Sequence, residues 1–174
     1  FQPNCTEKPI LSPNIIKEKV LPEIKKDRQT LLLVLDNLRY DHWIALRSLL
    51  SEYYTVTDDS LYFSILPTTT QYARNALFSG LMPADIEKLY PELWVDDEED
   101  EMKNLHEEEM LVTQLKRLGY NEKIYFDKIT SINSGKKFSD RIYKISQCHF
   151  SVLVHNFIDI LSHARTEMNM IKEL

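Results

Sequence analysis

Thr30-Leu31-Leu32-Leu33-Val34-Leu35-Asp36 is an almost unbroken apolar run that ends in a carboxylate. A strand with one wet face alternates polar and apolar residues, whereas a parallel strand buried on both faces reads as a continuous hydrophobic stretch. The run therefore predicts a central parallel strand. The loop that follows, Asp36-Asn37-Leu38-Arg39-Tyr40-Asp41, is dense in polar groups at the edge where open α/β sheets gather ligands.

Working outward, Trp43, Leu46, Leu49 and Leu50 fit a covering helix. Further strands are expected near Tyr54 to Thr57 and Tyr62 to Leu66, and then a helix from Gln71 to Phe78 stopped by Gly80. Pro83 to Tyr90 predicts a short helix, Leu105 to Leu118 an amphipathic one ending before Gly119, Lys123 to Phe126 a compact strand, and Phe138 to Ile145 a further helix. Phe150 to Val154 is β-branched and apolar enough for another central strand, delivering the chain to His155-Asn156-Phe157 and a last helix with Asp159, His163 and Arg165. Parallel strands need crossover connections, so this alternation predicts an α/β fold, a three-layer doubly wound and mostly parallel sheet.

Residues 1–12 hold two prolines and no periodicity; Ser12-Pro13 then offers an N-cap and a first-turn proline. Ile15, Ile16, Val20, Leu21 and Ile24 recur at helical spacing, with Pro22 set to kink the helix. The expected organisation is a leader and connector helix over 1–28 and one domain over 29–174. The acidic block Asp96 to Glu101 reads as a solvated loop, because like charges in a run repel.

With 174 residues, 43% apolar and 28% charged, the chain can bury a substantial core. A formal charge of −6 without clustered Lys and Arg argues against a duplex DNA binder, though bound metal would still admit a nucleotide substrate. Cys5 and Cys148 are too few and too far apart for a disulfide framework, which predicts a reducing cytosol. No signal-peptide core and no apolar run near the bilayer-spanning length of about 20 residues is present, so a cytoplasmic protein with no membrane partner is expected. A first residue that is Phe, and a last segment with no helix stop, predict a piece of a longer protein.

Three polar islands carry the chemistry. Asp36, where a dry strand gives way to a loop, suits a divalent metal, or a cap on the next helix. Pro67-Thr68-Thr69-Thr70 places hydroxyls at a helix entrance, where backbone N–H groups and the positive helix end favour phosphoryl oxygens; the plainer alternative is a Thr N-cap with two bystanders. Asp159 and His163 stand four apart, so on a helix they share a face and can ligate one ion, zinc or with manganese possible, or form a simple ion pair. His42, His106, His149 and His155 read as ordinary surface or packing residues.

Pro-Thr-x-Thr ending at Thr70 resembles the nucleophile pattern of the nucleotide pyrophosphatase/phosphodiesterase branch of the alkaline phosphatase superfamily, and Asn156-Phe157 through Asp159 and His163 resembles a segment of cofactor-independent phosphoglycerate mutases. Taken whole, Leu35 to Asp41, the threonine island through Arg74, Asn75 and Gly80, and Asp159 to Met168 resemble a PglZ domain, in particular that of PorX-type response regulators of Bacteroidota. The resemblance implies cytoplasmic signalling linked to type IX secretion, a receiver domain upstream, two zinc ions, and phosphodiesterase activity on nucleotide or oligonucleotide substrates. It implies Asp36 and Thr70 on one metal, Asp159 and His163 on the other, Thr70 as the nucleophile, and Asn37 and Arg74 orienting phosphate oxygens. It also implies further Asp and His ligands beyond Leu174 and hence weak turnover by this piece alone. The second expectation is a non-catalytic zinc- or nucleotide-binding signalling module that works as a homodimer.

Overall fold

The computed structural model describes residues 8–94, 104–156 and 158–159. In chain order the regular elements are β1 (Thr30–Leu35), α1 (Tyr40–Leu50), α2 (Thr70–Ser79), α3 (Pro83–Leu89), α4 (Glu107–Arg117), β2 (Ile124–Ile129), α5 (Ile132–Ser139) and β3 (Phe150–His155), with short 3-10 and π turns between them. They fall into two compact units, one from residues 1–28 and 61–123, the other from 29–60 and 124–174.

The second unit carries a parallel three-stranded sheet in the order β1-β3-β2, so the expected α/β class and parallel pairing are those observed. The order corrects one expectation. Among the described residues β3 takes the central position, with Phe150 to Val154 all buried, while β1 pairs on one side, with Leu31 46% and Leu33 48% exposed. A continuous apolar run tells a strand that it can be buried, not which of two such runs will be flanked on both sides; β3 pairs with both neighbours. α1 likewise forms where its periodicity places it, yet none of its residues is buried, so it does not cover the sheet as expected.

Neither Tyr54 to Thr57 nor Tyr62 to Leu66 forms a strand. β propensity needs a partner to act on, and around Tyr62 to Leu66 only Phe63 finds one, a single parallel bridge to Leu11. The helix expected over Phe138 to Ile145 divides into α5 and a 3-10 turn over Ile142–Gln147. α5 starts earlier because Ser131 caps it, accepting from the Ser134 backbone N–H at 3.1 Å. Cys148 is a free thiol just before β3; Cys5 and the acidic block lie outside the described residues.

The first unit is helical. Instead of one connector helix, residues 12–23 form 3-10, π and 3-10 turns, with Pro13 and Pro22 each near the start of a 3-10 segment. Ser12 does not cap a helix: its buried hydroxyl accepts from the Ile65 N–H at 3.2 Å, and the adjoining turn packs on α2. Ile16, Phe78, Ile86 and Leu111 are fully buried in this unit.

α4 holds the far end of α2. The last carbonyls of a helix have no intrahelical partner, and here α4 supplies them. Gln114, with its amide turned to donate, reaches the Leu77 and Phe78 carbonyls at 3.2 and 2.9 Å, and Arg117 donates to the Ser79 carbonyl. Gly80 ends α2 at φ 68, and a Cβ there would sit 2.8 Å from Gln114 Cδ. Gly119 also has positive φ, at 85, but nothing lies within 4 Å of its Cβ position. Gly80→Ala should therefore cost about 2 kcal/mol or more, from backbone strain plus overpacking, and Gly119→Ala only the roughly 1–2 kcal/mol of strain. Urea unfolding midpoints check the ranking; equal losses at the two sites would show that Gln114 yields freely.

Candidate active site

In the second unit the parallel sheet presents its carboxyl-terminal edge as the candidate site. β1 and β3 run in register from Thr30 opposite Phe150 to Leu35 opposite His155, so Asp36 emerges beside the end of β3. One further bond fixes it: the Asp36 N–H donates to the His155 carbonyl at 3.1 Å. The Asn156 N–H donates to Ile129 on the other side at 3.0 Å, so all three strands end at one level. Position therefore follows from strand pairing, and pairing from the apolar runs.

Asn37 has φ 58, a left-handed conformation rare for residues other than Gly and tolerated best by Asn and Asp. That turn aims its side chain back over the edge, where Nδ2 donates to Asp159 Oδ1 at 3.5 Å. Two residues expected at the site from separate parts of the sequence are thus brought together, 122 positions apart in the chain. Backbone strain persists only where surroundings hold it, and it concentrates at functional positions. Asp36 and Asp159 are half-buried and supply hard oxygen donors that suit a divalent ion. Among the described residues no group of three or more His, Cys, Asp or Glu side chains is placed to hold a metal; His163, the expected fourth ligand, lies outside the described residues, as does Arg165. The donors present fit part of a metal-ligand set.

Arg39, in the same polar loop, is committed locally. Its guanidinium forks onto Asp41 at 3.1 and 2.7 Å. Desolvation would raise the Asp41 pKa, but the Arg39 charge and the hydrogen bonds from Arg39 and the His42 N–H outweigh it and hold the carboxyl below its ordinary value.

In the first unit, Thr70 is the first residue of α2 and half-buried. Thr69 occupies the N-cap position with extended backbone, and its carbonyl accepts from the Tyr72 and Ala73 N–H groups at 3.1 and 3.0 Å. Its side chain makes no capping bond, so the simple capping explanation for the threonines finds no support. Pro67, joined to Leu66 by a cis peptide, sets the chain's entry to the island.

Arg74 lies one turn further along α2, and its environment is not that of an open phosphate clamp. It is 6% exposed, and its Nε donates to Glu107, whose side chain is 0% exposed. Glu107 is the residue that sequence reasoning missed. The signal was present: Glu107, Met110, Leu111, Gln114 and Leu115 are the buried stripe of α4, spaced at i, i+3, i+4, i+7 and i+8, and a carboxylate on an apolar stripe demands a partner. It was masked by the neighbouring Glu108 and Glu109, which make the first turn look like ordinary compensation of the helix dipole.

No helix among the described residues is long and apolar enough to cross a membrane. Among curated proteins no match to the chain is found. The family model of the BREX system PglZ alkaline phosphatase-like domain matches residues 15–174, which is nearly the whole chain. Alkaline phosphatase-like domains are hydrolases acting on phosphate esters, in a superfamily that generally uses metal ions. On a match of that extent, the chain belongs to the PglZ family of alkaline phosphatase-like domains.

Proposed function

We propose that this domain is a zinc-dependent phosphodiesterase acting on nucleotide or oligonucleotide phosphodiesters, with Thr70 as its nucleophile. The observation that carries the reading is the meeting of Asn37 and Asp159, with Asp36 alongside, at the carboxyl edge of a parallel sheet in a chain of this family. Asp36 and Asp159 would hold metal together with His163 and the Thr70 oxygen, zinc being favoured by mixed oxygen and nitrogen donors and manganese an alternative. A bound divalent ion supplies charge neutralisation at the phosphoryl oxygens and lowers the hydroxyl pKa of the nucleophile.

The chain's own residues do the rest. Thr70 Oγ1 loses its proton and bonds to phosphorus while the ester P–O bond breaks, and the departing oxygen takes up a proton. Water then adds to phosphorus and releases Thr70. Position one of a helix suits this task, since the backbone N–H groups of the first turn favour phosphoryl oxygens. Asn37 orients Asp159 through its amide, and would orient a phosphate oxygen brought to the same edge. Arg74, paired with Glu107, serves the site by holding α2.

Within a longer protein the domain would act as the output of a cytoplasmic response regulator, following a receiver domain and controlling type IX secretion, with dimerisation a further element of that control. The experiment that tests the enzymatic reading uses the full-length protein and a chromogenic phosphodiester. Chelation should reduce hydrolysis to near background, zinc should restore it, and Asp36→Asn or Asp159→Asn should prevent restoration. Full turnover by the chelated protein would overturn the metal assignment. Zinc binding without any turnover would favour a non-catalytic signalling module.

A further inference from the structure

Burying a carboxylate and a guanidinium together is a poor way to gain stability, because desolvation consumes most of the attraction, and an apolar pair of similar volume is often as good or better. Arg74 and Glu107 are nevertheless buried and bonded between α2 and α4. What an apolar pair cannot do is fix a direction. The bond from Arg74 Nε to Glu107 fixes the direction of that N–H as well as its distance.

That restraint falls at a specific place. Thr70 and Arg74 are an i, i+4 pair and lie on one face of α2, one turn apart. Seven and ten residues beyond Glu107, on the same side of α4, Gln114 and Arg117 bind the carbonyls of Leu77, Phe78 and Ser79. α4 thus grips α2 near both ends: by an ion pair beside the first turn, and by carbonyl bonds at the last. Glu107 adds a hold on the first half of α2, where Arg74 lies one turn from Thr70.

We propose that Glu107 is a positioning residue, acting through Arg74 to set the first turn of α2 and with it the aim of the Thr70 hydroxyl. The consequence for turnover rests on the reading of Thr70 as nucleophile; the restraint on the first turn does not. Loss of Glu107 should leave substrate binding largely intact and slow the chemical step, because misplacement of a reacting atom affects the transition state more than the ground state.

The test measures amide hydrogen exchange and steady-state kinetics on the full-length protein with zinc. In Glu107→Gln, exchange over 70–75 should quicken by roughly tenfold while 76–80 stays as in the parent. kcat should fall by roughly tenfold to a hundredfold, with KM within about threefold. The double variant Arg74→Met, Glu107→Leu should regain the parent's thermal midpoint but not its kcat. Recovery of kcat in the double variant would show the pair to be mere core filling and overturn the proposal, as would unchanged exchange over 70–75 in Glu107→Gln. If exchange quickens as expected but Thr70→Ala keeps parental turnover, the nucleophile assignment fails and the restraint by Glu107 is supported.

Discussion

Thr70→Ala in the full-length, zinc-loaded protein is expected to lower phosphodiester turnover by roughly 10³-fold or more, about 4 kcal/mol of transition-state stabilisation. The size follows from the role. A residue that only binds substrate costs KM when removed, whereas a nucleophile removes the reaction path and leaves whatever the metal and the binding groups achieve with water. Thr70→Ser should retain a substantial fraction, since it keeps the oxygen at the same helix position and loses only a methyl group. Thr68→Ala and Thr69→Ala should have small effects; Thr69 contributes its carbonyl, not its side chain, to the start of α2. Stopped-time trapping of a phosphorylated protein, absent in Thr70→Ala, checks the covalent step directly. A parental rate in Thr70→Ala with a loss in Thr69→Ala would move the nucleophile by one residue and turn it off the face that carries Arg74.

The elements legible in the sequence were those whose stability is local or strongly patterned. The apolar runs of β1 and β3, the buried stripe of α4 and the glycine stop of α2 each announce themselves within a few residues. Position in the sheet did not: Thr30 to Leu35 is the more apolar run, five of six residues against four of six in Phe150 to His155, yet non-local pairing places β3 between two neighbours. Tyr62 to Leu66 has strand-like composition and gains a single bridge, so composition there reported a capacity that the fold does not use.

At the candidate site the same division holds. Asp36 at a strand end was readable because an apolar run stopping at a carboxylate is a pattern in one segment. That Asn37 adopts a left-handed turn and reaches Asp159 was not, since it depends on β1 and β3 being neighbours. An arginine after a threonine island has the chemistry of a phosphate ligand; the burial of Arg74 against Glu107 is a property of the packing of α2 on α4, which neither segment announces.

Glu107→Ala should be the more damaging of two superficially similar substitutions in the first turn of α4. Removing the carboxylate leaves the Arg74 guanidinium, 6% exposed, without its buried counter-charge, and losing one partner of such a pair typically costs about 3–5 kcal/mol. For a chain of this size that corresponds to a fall in thermal midpoint of roughly 6 to 20 °C. Glu109→Ala removes a carboxylate that pairs with His106 Nδ1 at 2.9 Å but is 62% exposed, so water and salt already screen it and the loss should stay below about 1 kcal/mol. Adding Arg74→Met to Glu107→Ala should restore part of the stability rather than deepen the loss, because most of the penalty is the stranded charge and not the missing contact. Thermal unfolding of the three variants and the parent measures this sign. A further loss in the double variant would mean that Arg74 stabilises α2 through its other bonds, and that the pair with Glu107 is secondary to them.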